Sequence, residues 1–200
     1  MAVVSANNYT IGGVDLYFAA TTNHVKLDSG TTNGIGSDFR TDNKNLGNIV
    51  VAEFAPDITF LEHFITTSAG DKRKDHMVTS GKNITIPFTF DEMNEANLRK
   101  YFQGGNTTAS TGTATPTFKV MSNTLEYGSA QLRFRTDIGQ DIVYMIPKCI
   151  VRPDGNLAMN IEDWWTAPMV IEILYNTWTP NNLASDIDAP YGLITTLAIS

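Results

Sequence analysis

Residues Leu46–Gly104 read LGNIVVAEFAPDITFLEHFITTSAGDKRKDHMVTSGKNITIPFTFDEMNEANLRKYFQG. Ile84, Ile86, Phe88 and Phe90 alternate with Thr85, Pro87 and Thr89, the period of a strand with one buried face. Upstream, two apolar runs separated by a turn at Pro56 read as a pair of strands, the second ending in Phe60-Leu61-Glu62-His63. A polar excursion from Ile65 to Lys82 follows, expected as a long loop. Asp91 is expected to cap a helix, because its short side chain accepts from the free amides of the first turn. Glu92 and Glu95 then place negative charge near the positive helix end. Leu98, Tyr101 and Phe102 fall on one helical face, and Gly104 and Gly105 are expected to end the helix. This order of elements argues for a structural module.

Outside the stretch, strands are expected over Val14–Ala20, Thr117–Met121, Leu125–Arg135, Gln140–Val151 and Met169–Tyr175. Leu132 and Phe134 face one way, Arg133 and Arg135 the other. Gln140–Val151 is apolar for most of its length, so it reads as a strand covered on both faces, with Pro147 marking a break or an edge. Leu157, Met159 and Ile161 alternate after a Pro153-Asp154-Gly155 turn, predicting a hairpin back onto the preceding strand. Many strands with one helix predict a mainly β fold, an antiparallel sandwich or barrel flanked by one α-helix. The 200 residues are read as one domain, 1–200, with long loops near 21–45 and 65–82 and a C-terminal extension over 177–200.

A net charge of −7 opposes tight nucleic-acid binding, which depends on clustered Lys and Arg. An acidic inner wall would instead repel phosphates and keep a passing duplex from sticking. The single cysteine, Cys149, lies in an apolar run and reads as packing material. Met1–Gly13 lacks the basic start and apolar core of a secretory signal, and no window approaches a membrane span, so a soluble product made in the cytoplasm is expected. His24, His63 and His76 show no metal-ligand spacing, and no metal or cofactor is expected. No nucleophile elbow or Cys–His arrangement stands out, the carboxylates Asp15, Glu53 and Asp57 have no acid-base spacing, and Gly30–Ser37 lacks the lysine of a phosphate loop. No enzymatic activity is expected.

Taken in order, Leu46-Gly47-Asn48, Phe60-Leu61-Glu62-His63, and Phe88 to Asp91 with Leu98 resemble the major tail tube proteins of long-tailed bacteriophages. Tyr9–Ala19 resembles that family's N-terminal strand with its lead-in, and Trp164–Asn176 its last long strand. The resemblance spans Tyr9 to about Tyr191, although Gly13-Val14-Asp15 stands where the family carries a basic residue before the lead strand. It implies a β-sandwich or barrel whose copies form hexameric rings stacked around a tape-measure protein, later a conduit for DNA. The implied partners are further copies, the tape-measure protein, tail-tip and tail-terminator proteins and passing DNA, with no membrane. The implied location is the virion, with assembly in the host cytoplasm.

The resemblance also implies that the 65–82 segment reaches neighbouring subunits. Asp71, Lys72, Arg73, Lys74 and Asp75 are therefore contact candidates, with the cations meeting acidic partners. Glu62 and His63 join them, His63 through one buried or interface hydrogen bond. Trp164 and Trp165 read as core or interface anchors. Two alternatives stand beside this: the inner tube of a contractile tail or related injection machine, and a carbohydrate-binding β-sandwich that uses Trp164, Trp165 and Trp178.

Overall fold

The structure is a computed structural model that describes residues 13–20, 45–106, 118–122, 125–135, 140–159, 161–177 and 189–198. His24, Gly30–Ser37 and Trp178 lie outside the described residues, as do all of 21–45 but Asn45 and much of 177–200. The described residues are mainly antiparallel β with one short helix. Its elements are β1 (Val14–Ala19), β2 (Ile49–Ala52), β3 (Ala55–Thr66), β4 (Lys72–Phe90), α1 (Glu95–Tyr101), β5 (Gly105–Asn106), β6 (Phe118–Lys119), β7 (Tyr127–Phe134), β8 (Gln140–Pro153), β9 (Ala167–Ile173) and β10 (Leu193–Ala198).

One eight-stranded sheet follows the order β1-β7-β8-β9-β4-β2, with β10 beside β8 and β3 beside β4; β5 and β6 pair separately. The two ends of this path meet. Asn45, leading into β2, bridges Tyr17 of β1, and the Leu46 N–H donates to the Leu16 carbonyl at 2.9 Å. The core gathers Leu16, Ile86, Phe88, Phe90, Leu132, Ile146 and Met169 from β1, β4, β7, β8 and β9, all at most 2% exposed. The alternation expected for 84–90 and for Leu132 is therefore the alternation of the core. Arg133, facing the other way, is half-buried and holds Asp141 through Nε at 2.8 Å.

β8 is covered on both faces: Tyr144 and Ile146 belong to the main core, Val143 and Met145 to a second cluster with Tyr17 and Ala189. Pro147 lies inside this strand without breaking it. On one side the partner of β8 changes there, from β10 at Met145 to β9 at Cys149; on the other the register with β7 shifts between Gly128 and Ala130. A missing N–H is tolerated at such an irregularity. Cys149 is fully buried, and burial pushes its thiol well above the ordinary range, so it is packing material.

Four expectations are corrected. The helix starts later than Asp91: Asn94 is the cap, accepting from the Asn97 N–H at 2.9 Å, while Asp91 accepts from Asn48 Nδ2 at 2.8–2.9 Å. The helix ends through Gln103, which takes φ 46°, and the Gly104 N–H closes back on the Arg99 carbonyl at 2.8 Å. Pro56 lies within β3 and marks no turn; β2 and β3 pair with β4, not with each other, and line up end to end along its edge. An edge strand tolerates a proline. Residues 156–159 and Ile161 form no strand, because β9 takes the end of β8 through Arg152↔Val170 and Pro153↔Met169. The loop is pinched only by an Ala158–Thr166 bridge, and Ile161 is fully exposed.

Two outcomes follow. Gly47 has φ +86°, and a Cβ there would meet Glu92 Oε2 at 2.2 Å. Gly47→Ala is expected to lower stability by about 1–3 kcal/mol in denaturant titration, and an unchanged midpoint would contradict both the positive φ and the close approach of Glu92. Cys149 is expected to resist a disulfide reagent at pH 8 until denaturant is added, because the neutral thiol persists; prompt labelling of the native protein would contradict its burial.

Candidate functional site

β4 has two halves with different neighbours. From Ile84 to Phe90 it lies between β9 and the β2–β3 edge, but from Lys72 to Asn83 its only partner among the described residues is β3. The segment expected as a long loop is therefore mostly a regular hairpin, with the turn confined to 67–71. There the Gly70 N–H donates to the Thr67 carbonyl at 2.9 Å and the Thr67 N–H to that of Asp71 at 2.8 Å, with Gly70 at φ +88°. Residues 56–66 with their partners form an arm about 35 Å long at the usual strand rise. Its ladder shifts register twice, between Thr59 and Phe60 and between His63 and Phe64.

Every residue of β3 is exposed. In the ladder Phe60 faces Thr79 and Glu62 faces Met77, while Leu61 faces Val78 and His63 faces His76. Because adjacent strand positions alternate, apolar groups stand on both faces: Ile58, Phe60, Phe64 and Met77 on one, Leu61, Ile65 and Val78 on the other. Leu61 is 68% exposed and the others are close to half exposed. An isolated two-stranded ribbon is marginal in water, and this one leaves its apolar side chains uncovered.

The charged candidates fall on this arm. Glu62 is paired with Lys74, and His63 Nδ1 lies 2.6 Å from Asp75 Oδ1. The hydrogen bond of His63 is not the buried one expected, since its side chain is 68% exposed in the single chain. Asp71, Lys72 and Arg73 sit at the tip. Trp164 and Trp165 are not core residues either: Trp164 is 81% and Trp165 48% exposed, on the loop between β8 and β9. They stand apart from the arm. The arm leaves β4 beside Ile173, whereas the tryptophan loop enters β9 at Ala167, beside Phe90.

A polar depression of ≈ 620 Å³ lies beside α1, lined by Asn45, Gly47, Glu92, Asn94, Asn97 and Arg99 among others. Its groups are spent on structure. Asn97 Nδ2 donates to the Leu46 and Glu92 carbonyls at 2.8 and 2.9 Å, and Glu95 is paired with Arg99. Burial lowers the pKa of the neighbouring Lys100, with Glu126 opposing the shift. Among the described residues no group of three or more His, Cys, Asp or Glu gathers to hold a metal, and no helix is long and apolar enough to cross a membrane.

The apolar arm residues were not singled out from the sequence. Their signal is the run Ile58–Ile65, which carries apolar groups at both odd and even positions, as a strand covered on both faces does. What covers such a strand depends on its neighbours in the sheet, and among the described residues β3 has only β4. The chain matches no known protein family and no curated protein.

In the monomer, amides of 57–66 and 72–83 are expected to exchange with deuterium much faster than those of β7 and β8, since no third strand or core packing protects them. Equal protection would mean that the ribbon is stable unaided.

Proposed function

We propose that the chain is a structural, non-enzymatic subunit of a bacteriophage tail tube, with rings of six copies each stacked head to tail. The observation that carries this reading is the arm: a long ribbon with apolar side chains on both faces, all of them uncovered in one copy. Neighbouring copies would supply the missing cover, so that burial of the arm drives assembly at about 25 cal/mol per Å² of apolar surface. The residues that carry the family resemblance also support it, because Gly47 packs on Glu92, Asn48 bonds Asp91 and Leu46 bonds Asn97.

In this reading the tube encloses the tape-measure protein, is closed by tail-tip and tail-terminator proteins, and conducts DNA past an acidic wall without binding it. It resides in the virion after assembly in the host cytoplasm. The inner tube of a contractile tail is the near variant of the same architecture. The exposure of Trp164 favours a second reading, a carbohydrate-binding module. Glycan binding lost in Trp164→Ala, with no polymer formed, would carry that one.

Concentrated protein is expected to form hollow tubes of uniform width in negative-stain electron microscopy. Phe60→Lys with Phe64→Lys is expected to abolish them while leaving the thermal midpoint nearly unchanged, since both side chains are exposed. Tubes that persist in this variant would reject the arm as the assembly element.

A further inference from the structure

Two uncovered surfaces lie at opposite ends of β9. Its pairing with β4 runs from Ala167↔Phe90 to Ile173↔Ile84, so seven residues of strand, about 20 Å, separate the tryptophan loop from the root of the arm. The arm then carries its tip about 35 Å farther away. One chain therefore cannot bring its own tip to its own loop.

The two surfaces are complementary in chemistry. At the tip, Lys72 and Arg73 are exposed and make no ion pair among the described residues, whereas Lys74 is paired with Glu62. The loop from Asp154 to Thr166 contains Asp154, Glu162 and Asp163 and no Lys, Arg or His. Ile161, Glu162, Asp163, Trp164 and Trp165 are all exposed within it, next to one another in the chain. The backbone N–H of Trp164 donates to Asp163 Oδ1 at 2.8 Å, which holds the carboxylate against the backbone of the residue that carries the exposed indole. A guanidinium or ammonium is attracted both by carboxylates and by the face of an indole ring.

We propose that the arm tip of one copy docks, through Lys72 and Arg73, on the Ile161–Trp165 loop of the next copy. The partner is a second copy of this chain, so the inference rests on the tube reading and adds to it the acceptor surface. Each copy carries one donor and one acceptor at opposite ends. Such a contact is heterologous and propagates.

The test uses charge reversal in the full chain, followed by sedimentation and negative-stain microscopy, with circular dichroism to confirm folding. Lys72→Glu with Arg73→Glu, and separately Glu162→Lys with Asp163→Lys, are each expected to raise the protein concentration needed for assembly at least about tenfold. All four changes in one chain, or an equal mixture of the two double variants, are expected to restore assembly. If the wild type assembles and either double variant assembles equally well, or if the combined chain and the mixture both fail to recover, the docking contact is overturned while the tube reading stands. A wild-type protein that does not self-associate overturns both.

Discussion

β4 is a single strand of 19 residues, and the packing of its last seven dictates where its first twelve go. From Ile84 to Phe90 the strand is clamped between β9 and the β2–β3 edge, with Ile86, Phe88 and Phe90 at most 2% exposed. β4 is continuous through Asn83 and Ile84, so Lys72–Asn83 leaves the core from the direction that the buried half sets, with the two register shifts bending it farther out. β3 follows because its backbone groups need a ladder, and β4 supplies it. The arm therefore satisfies its hydrogen bonds without covering its side chains. That division between a satisfied backbone and uncovered apolar groups is the condition on which the proposed assembly depends.

The buried half is in turn held in register by the joint around Leu46–Asn48. Leu46 bonds β1 through its N–H and α1 through its carbonyl, Gly47 leaves room for Glu92, and Asn48 bonds Asp91 just after β4. Three elements distant in sequence meet over three residues. Because Asn97 is buried with both amide donors used, displacing the helix would strand polar groups, at about 1–3 kcal/mol for each unsatisfied one. The helix is thus a clip that fastens the end of β4 to the start of β2.

Much of this was legible where one face of a strand is buried and the other is not. Ile84–Phe90 and Leu132–Arg135 show the period directly, and Gln140–Val151 shows its absence, as a strand covered on both sides should. Partner choice was not legible. Leu157, Met159 and Ile161 alternate as well as any strand, yet β9 occupies the edge of β8 that they would need. Likewise the polar composition of 71–82 reads as a loop, although the backbone continues β4 through it, because hydrogen bonding to β3 does not require apolar side chains. The charged contact candidates rest on the family resemblance, since a charge run alone reads as a solvated tip. The apolar residues beside them, Phe60, Leu61 and Phe64, resemble core until the sheet order shows that, among the described residues, no strand but β4 lies beside β3.

Charge sets a further condition on any assembly of this chain. Each copy carries a net −7, so copies repel at long range, but that repulsion fades beyond about 8 Å at physiological ionic strength. A basic tip meeting an acidic loop acts inside that distance, where it opposes the general repulsion and selects one end of the neighbour over the other. Added salt would then act in two directions, relieving the repulsion between whole copies while weakening the tip contact. Apolar burial along the arm, which salt does not screen, has to supply the larger part of the association energy. The electrostatic pair contributes direction. On this view the arm is apolar along its length and charged at its tip for separate physical reasons, adhesion for the first and polarity of growth for the second.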